Sequence, residues 1–320
     1  MHIIDVLTSH QLIKRFCRDY SVPVSTFSYP HFEKQLETLS IHNASYHDAF
    51  MQFVEEVTTY NSAEEYFAYY NGVKEAIINH ISNHPQFIKF SNTTFEKGTY
   101  SNKELYSETN HAKAFVSIDL RKANFSIVKK HCPDVFGDST WEEVVEQFGG
   151  SPYLQKSKYI RQVIFGACNP KKQIQAQTEY MTWVARYMES KGFKIYSVAT
   201  DEIILEDYDY DRVMDALSEC HLYDTTIMKV ERFWLTKLGT GYIKTITSSS
   251  DIADVGKVHF KCVDGDFYCQ FVKHYYHKPI EESDLIFDYK GTIAKFIAPM
   301  GLPLHSLIEN NNTSNDKIAE

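Results

Sequence analysis

The sequence predicts an α+β fold in which an antiparallel sheet is backed by helices. Through most of the first 110 residues, apolar residues recur at the 3.6-residue period of a helix. From residue 114 onward, short apolar runs of strand character alternate with helical segments, and turn residues separate neighbouring runs. Strands close in sequence and joined by such turns pair antiparallel, with helices covering one face.

Residues 1–110 are expected to form a helical N-terminal region. Residues 46–59 (YHDAFMQFVEEVTT) and 62–81 each place their large apolar side chains on one helical face. Ser62 followed three residues later by Glu65 is the pattern of a capping box, which starts a helix. The polar end of this region is expected to form a loop.

The centre of the chain begins with an apolar run at 114–118 (AFVSI), which ends at Asp119 and predicts a buried strand. Helices are expected after this strand. They extend to about His131 and then occupy residues 140–148, 156–165 and 173–190.

Residues 193–206 (FKIYSVATDEIILE) are the most informative segment. Two strand-like runs flank the tetrapeptide ATDE at 199–202, which predicts a β-hairpin with acidic residues at its turn. A helix at 211–220 and a strand at 225–235 complete the predicted sheet region.

The C-terminal part is expected to contain a second hairpin. Residues 258–263 and 267–275 are predicted as strands joined by Asp264 and Gly265, a strong turn dipeptide. Residues 301–320 are polar and are expected to be a disordered tail.

Charge is distributed unevenly along the chain. The net charge of −9 disfavours a nucleic-acid binder. Between residues 111 and 172, however, ten Lys and Arg residues against six Asp and Glu residues give +4. Such a local excess fits a surface that faces phosphate, although solvated lysines explain it equally well.

Composition disfavours several classes of protein. The six cysteines form no CxxC pair, so structural zinc and a disulfide framework are not expected. The N-terminus lacks a signal-peptide pattern, and no run of about 18 apolar residues occurs. We therefore expect a cytoplasmic location and no membrane partner.

Asp119, at the end of a strand, and Asp201, at a hairpin turn, are candidate metal ligands. If their strands pair at the usual spacing of about 4.8 Å, the two carboxylates share a site. Close carboxylates repel each other unless a cation lies between them. Mg²⁺ is the usual cation, bound by one or two carboxylates and substrate phosphates, and two such ions support phosphoryl transfer. We predict two Mg²⁺ ions here, with Mn²⁺ as a substitute, although an isolated Asp at a strand end is more often a turn former.

Three segments resemble the motifs of palm-type polymerases, in the same order. The segment VSIDLRKANFSI from Val116 resembles motif A, and SKYIRQVIFG from Ser157 resembles motif B of family B DNA polymerases. The segment GFKIYSVATDEIIL from Gly192 resembles motif C. The resemblance covers residues 114–206, about a third of the chain. It implies a minimal viral or phage-like form of the family B catalytic core, without an exonuclease domain.

The resemblance implies a role for each matching residue. Asp119, Asp201 and Glu202 are catalytic, and the first two hold the metal ions. Lys158 reaches the incoming triphosphate, and Arg161 assists it from the next helical turn. The implied substrate-binding residues are Leu120, Asn124, Lys158, Arg161, Gln162 and Phe165.

Four of the matching positions depart from the family pattern. Ala199 replaces the first acid of motif C. In motif B, Gln162 replaces the usual Asn, and Phe165, which would pack near the nascent base pair, replaces Tyr. Asn124 stands where the family usually has the Tyr that excludes ribonucleotides.

The family resemblance also implies a domain order and a set of partners. A palm with short fingers would occupy residues 111–235, and a thumb-like region with the second hairpin would occupy 236–300. The implied partners are a primer–template, which is expected to be DNA, and nucleoside triphosphates. Accessory replication proteins are further implied partners.

Three alternatives stay open. Motif A also resembles that of reverse transcriptases, but their Leu-Pro-x-Gly element before motif B is missing, since only GSPY occurs at 150–153. A primase or other RNA-synthesising enzyme would suit the small Asn124. A catalytically inactive palm that only binds nucleic acid would suit Ala199.

Overall fold

The structure, a computed structural model, describes residues 1–206 and 208–301. The predicted disordered tail therefore lies, apart from Gly301, outside the described residues. Among the described residues the α-helices are α1 (Ile3–Thr8), α2 (His10–Tyr20), α3 (His31–His42), α4 (Ser45–Thr58), α5 (Ala63–Asn83), α6 (Pro85–Asn92), α7 (Ala123–His131), α8 (Pro133–Phe136), α9 (Trp141–Gln147), α10 (Pro152–Lys156), α11 (Lys158–Ala167), α12 (Pro170–Ser190), α13 (Tyr210–Ser218) and α14 (Tyr268–Tyr275).

The strands confirm the predicted α+β architecture. Of the strands in residues 1–206 and 208–301, six form one antiparallel sheet in the order β2-β3-β1-β4-β5-β6, and two form a separate hairpin. The strands are β1 (Lys113–Leu120), β2 (Ile195–Val198), β3 (Glu202–Leu205), β4 (Met228–Leu238), β5 (Gly241–Ser249), β6 (Val258–Lys261), β7 (Ile286–Tyr289) and β8 (Thr292–Lys295).

Alternation along β1 separates the two faces of the sheet. Val116, Ile118 and Leu120 join the main hydrophobic core, to which α12 and α13 also contribute. The intervening residues Ser117 and Asp119 point to the opposite face. One end of that face is covered by a small apolar cluster that includes Phe115. Its other end is polar and forms the wall of a cavity.

Most of the predicted elements are confirmed. Helices fill most of the first 92 residues, and β2 and β3 form the predicted hairpin. Ser62 caps α5 by accepting a hydrogen bond from the Glu65 backbone N–H, whereas the Glu65 carboxylate accepts from the backbone N–H of Asn61. No helix among the described residues combines the length and apolar character needed to cross a lipid bilayer.

The predicted second hairpin at 258–275 is wrong. Residues 258–261 are a strand, but they pair with β5, and the presumed second strand is helix α14. The Asp264 side chain accepts a 2.9 Å hydrogen bond from the Asp266 backbone N–H and so starts a helical turn. Residues 269–273 are then buried at five consecutive positions, whereas a strand with one buried face would bury every second residue.

The C-terminal part is tied to the N-terminal helices as well as to the sheet. Strands β5 and β6 extend the main sheet, and the boundary predicted at residue 235 falls inside β4. Gln35 of α3 donates hydrogen bonds to the backbone carbonyls of Ser283 (3.2 Å) and Ile286 (2.8 Å). Asp284 is buried and pairs with Lys273 at 2.9 Å. The thumb-like role of this region stays a prediction.

Asp19 of α2 is a fully buried carboxylate among the N-terminal helices. Burial raises its pKa from 3.8 to about 6. The folded state therefore binds the Asp19 proton more tightly than the unfolded state does. Protonation of Asp19 stabilises the folded state, and this contribution is fully present below about pH 4. This stabilisation is lost as the pH rises through about 6, and the difference between the two pKa values corresponds to about 3 kcal/mol.

We expect the stability advantage of wild type over Asp19→Asn to fall by about 3 kcal/mol between pH 4 and pH 7. The free energy of unfolding of both proteins, from urea denaturation at each pH, measures this difference. Glu56 titrates in the same range, because burial raises its pKa to about 7. The difference between the two proteins therefore isolates Asp19, and a difference that does not vary with pH contradicts the prediction.

Candidate active site

A cavity of about 540 Å³ lies on the polar end of the open sheet face. Its floor is formed by β1, β3, β4, β5 and β6, and its walls come from α7 and α11. Eight of the nine predicted site residues line it together: Asp119, Leu120, Asn124, Lys158, Arg161, Gln162, Asp201 and Glu202.

The acidic side chains are brought together by the pairing of β1 with β3. Asp119 lies directly opposite Glu202 in the antiparallel register, so their side chains share a face. Asp201 lies in the two-residue loop of the hairpin, which is closed by a 2.8 Å hydrogen bond from Ala199 N–H to the Glu202 carbonyl. The Leu120 N–H donates to the Asp201 carbonyl at 2.9 Å and holds this loop against β1.

The acids repel one another in a partly buried setting. The pKa of Asp119 is raised to about 7, mainly by burial and then by the negative charges of Glu202 and Asp201. Lys244 opposes this shift. The pKa of Glu202 is raised as well, again mainly by burial. Such a site favours a cation, because positive charge there stabilises the ionised carboxylates.

The donor set fits Mg²⁺. Asp119 and Asp201 offer the hard carboxylate oxygens that this ion prefers, and Mg²⁺ usually takes only one or two carboxylates from the protein. No group of three or more His, Cys, Asp or Glu side chains in the described part of the chain is arranged to hold a metal ion by itself. The remaining ligands would therefore come from substrate phosphates and water.

Helix α11 supplies the basic wall of the cavity. Its N-cap is Ser157, whose hydroxyl accepts a 3.1 Å hydrogen bond from the Ile160 N–H. Lys158 and Arg161 are one turn apart and therefore share a face of the helix, and both line the cavity. Neither makes an ion pair with the described residues, and burial lowers the pKa of Arg161.

Two other basic residues of the +4 window are already paired. Arg121 forms a two-point contact with Asp251, at 2.5 and 2.7 Å, and does not line the cavity. Lys122 lines the cavity, but its ammonium group binds the Glu142 carboxylate at 2.6 and 2.7 Å. The charge excess that the sequence shows is thus partly neutralised inside the fold.

Phe165 is the one predicted site residue that the structure moves away from the cavity. It is fully buried and packs against Phe125, Phe136 and Trp141. It lies on the inner side of α11, so a direct contact with a nascent base pair is inconsistent with its position. Phe125 is buried in the same cluster, whereas its α7 neighbours Ala123 and Asn124 line the cavity.

Asn124 is held in place by a buried neighbour. The Gln177 side-chain amide of α12 donates a 2.8 Å hydrogen bond to the Asn124 side-chain oxygen. Gln177 is 3% exposed, so its position is determined by the core. The small Asn124 side chain is therefore fixed at the cavity wall.

Four charged cavity residues were not predicted: Lys229, Glu231, Lys244 and Lys261. Glu231 and Lys244 are nearly buried and form an ion pair at 2.9 Å. Lys261 makes no ion pair with the described residues, and burial followed by the charge of Lys244 lowers its pKa. The sequence shows that Lys229 and Glu231 alternate with the apolar residues Met228 and Val230. The pairing of β4 with β1 then places Lys229 opposite Asp119.

Comparison of the chain with models of protein families finds no match, and a search among curated proteins finds no significant relative. The acidic turn, the basic helix and the open sheet face are therefore the basis for assigning a function.

Proposed function

We propose that this protein is the catalytic core of a template-directed nucleic-acid polymerase. It adds nucleotides to a primer 3′ end, and we expect it to be a DNA polymerase that acts on a DNA primer–template. One observation carries the proposal. Asp119, Asp201 and Glu202 stand on the open face of an antiparallel sheet, across one cavity from Lys158 and Arg161. This is the arrangement that the palm-polymerase resemblance implies for motifs A, C and B.

The acids would hold the metal ions of the reaction. Asp119 and Asp201 are the ligands, and Glu202 adds negative charge from the neighbouring position of the strand. Bound Mg²⁺ would stabilise the attacking and leaving oxygens of phosphoryl transfer. Ligation requires an ionised carboxylate, so Asp119, whose pKa is near 7 without a cation, would be deprotonated in the loaded enzyme.

The basic side chains would bind and orient the nucleotide. Lys158 and Arg161 have no carboxylate partner among the described residues, so their charges are available to a triphosphate. Lys261 offers a third such charge on the floor of the cavity. Orientation of reacting groups by fixed cations lowers the entropic part of the barrier.

We expect primer–template affinity to depend steeply on salt. In the absence of nucleotide, the unpaired cations Lys158, Arg161 and Lys261 are available to DNA phosphates. Their contacts would release about three counterions, a slope of about −2.7 in log affinity against log salt. Affinity should then fall roughly 40-fold between 50 and 200 mM salt. Fluorescence anisotropy with a labelled primer–template measures this, and affinity independent of salt shows that the cavity cations do not face phosphate.

We expect weak discrimination against ribonucleotides, because Asn124 is smaller than Tyr and can form a hydrogen bond with a 2′-hydroxyl. Substitution Asn124→Tyr should reduce ribonucleotide incorporation by about 10- to 100-fold, equivalent to about 1–3 kcal/mol, and leave deoxynucleotide incorporation nearly unchanged. Single-nucleotide addition with matched ribo- and deoxynucleotides measures the ratio. The prediction fails if wild type already rejects ribonucleotides and the substitution has no effect.

The test of the function is primer extension. A labelled primer is annealed to a DNA or an RNA template and incubated with Mg²⁺ and either deoxy- or ribonucleotides. Template-dependent extension on DNA supports the proposal, and extension on RNA alone indicates a reverse transcriptase. Salt-dependent binding without extension on any template favours the inactive palm, for which Ala199 at the first acid position is the specific argument.

A further inference from the structure

A buried carboxylate outside the cavity is bonded to the helix that carries the nucleotide-binding cations. Asp19 lies at the end of α2 and is fully buried. Its Oδ1 accepts hydrogen bonds from the Tyr70 hydroxyl at 3.0 Å and the Ser157 hydroxyl at 3.2 Å. Its Oδ2 accepts from the Tyr153 hydroxyl at 3.0 Å. Four elements of the fold, α2, α5, α10 and the start of α11, therefore meet at one side chain.

Ser157 is the link between this carboxylate and the cavity. Its hydroxyl accepts a hydrogen bond from the Ile160 N–H and so caps α11, and it donates a hydrogen bond to the Asp19 carboxylate. The donor of the Ser157 hydroxyl is thereby directed at Asp19, whose backbone carbonyl also lies within 3.4 Å of it. Lys158 follows immediately as the first residue of α11, and Arg161 lies three residues further along the helix. The position of both cations thus depends on where this cap is held.

Arg15 strengthens the junction from the other side. It donates to the Tyr70 hydroxyl at 3.0 Å and lies 3.7 Å from the Asp19 carboxylate. Its guanidinium also lies 5.1 Å from the ring centre of Tyr159, the second residue of α11. The N-terminal helices therefore contact the first turn of α11 by two routes.

A similar contact between a carboxylate and an N-cap serine occurs at the start of α10, the helix before α11. Glu56 of α4 accepts a hydrogen bond from the Ser151 hydroxyl, and Ser151 caps α10 by accepting from the Leu154 N–H. The chemistry is the same as at Asp19: an N-terminal carboxylate binds the N-cap serine of a following helix. The described cavity lining includes no residue of α10, however.

We propose that Asp19 is a positioning residue for nucleotide binding, which acts through Ser157 to place Lys158 and Arg161 at the triphosphate. This inference rests on the proposed polymerase function. Asp19 does not touch the cavity, so its loss should weaken nucleotide binding more than it slows the chemical step. Loss of the Glu56 carboxylate removes the equivalent contact to the cap of α10 and should change neither nucleotide binding nor the chemical step.

The experiment compares Asp19→Asn with Glu56→Gln in single-nucleotide addition with dTTP. We expect Asp19→Asn to raise KM for dTTP at least about tenfold with kcat changed less than about threefold. Glu56→Gln should change either constant less than about twofold. Equilibrium binding of dTTP to the same proteins without primer should show the same order of affinities.

A second variant covers failure of Asp19→Asn to fold. Ser157→Gly removes the hydroxyl that joins Asp19 to α11, and glycine is a tolerated N-cap. The same rise in KM is expected. An unchanged KM in the folded variants overturns the inference, and so does an equal rise in Glu56→Gln. If wild type itself neither binds dTTP nor extends a primer, the proposed function fails instead.

Discussion

Asp119→Asn and Asp201→Asn should each abolish nucleotide addition and leave the fold intact. Each substitution removes one negative charge and one carboxylate metal ligand from the cavity. Loss of a metal ligand costs several kcal/mol of transition-state stabilisation, which corresponds to roughly a thousandfold or more in rate. Single-turnover primer extension at saturating nucleotide measures the loss, and the urea midpoint shows whether the variants are folded.

The matched control for these variants is Asp211→Asn, which removes the same charge from the exposed surface of α13. It should extend primers at the wild-type rate. Primer–template binding by the two active-site variants should be retained or slightly stronger, because negative charge near phosphate is lost. Extension within a few-fold of wild type by either variant shows that these acids do not hold the catalytic metals.

The double substitution Lys158→Ala/Arg161→Ala should lower kcat/KM for nucleotides by about 100-fold or more. A charge-assisted hydrogen bond contributes about 1.5–3 kcal/mol, and Lys158 is exposed, so the lower end applies and the pair amounts to about 3 kcal/mol. Most of the effect should appear in KM, because both side chains contact phosphate before and during the reaction. Steady-state kinetics over a range of dTTP concentrations measure both constants.

The double variant Lys156→Ala/Lys171→Ala is the control for charge. It removes two positive charges from the same +4 window, but both lysines are exposed and neither lines the cavity. Nucleotide kinetics should be unchanged. Equal losses in the two double variants indicate a general electrostatic effect of the window and contradict a specific contact with the triphosphate.

Local patterns in the sequence were sufficient to locate the acidic turn and the basic helix. The apolar run before Asp119, the ATDE turn at 199–202 and the helical spacing of Lys158 and Arg161 each depend on neighbours within a few residues. The structure confirms the strand, the hairpin and the helix that carry them. Short-range preferences of strands, turns and helices are enough for such elements.

Predictions from local patterns were wrong where the same segment could form either a strand or a helix. Residues 267–275 contain enough apolar and aromatic residues for a strand, but burial of Phe271 and Val272 against the core selects a helix. Phe165 likewise satisfied a motif pattern that places it near the substrate. Its side of α11 faces Trp141 and Phe125, and packing against them decides its role.

Local periodicity in the sequence predicted the strand end, the hairpin turn and the helix, and the resemblance to palm-polymerase motifs implied the roles of Asp119, Asp201, Lys158 and Arg161. The residues that surround them come from distant parts of the chain and are brought there by the fold. Pairing of β4 with β1 and of β5 with β4 brings Glu231 and Lys244 into the cavity that Asp119 lines. Folding of α2 against α11 brings Asp19 to Ser157, 138 residues away. Such contacts depend on strand register and side-chain packing between distant segments, and these are properties of the whole chain.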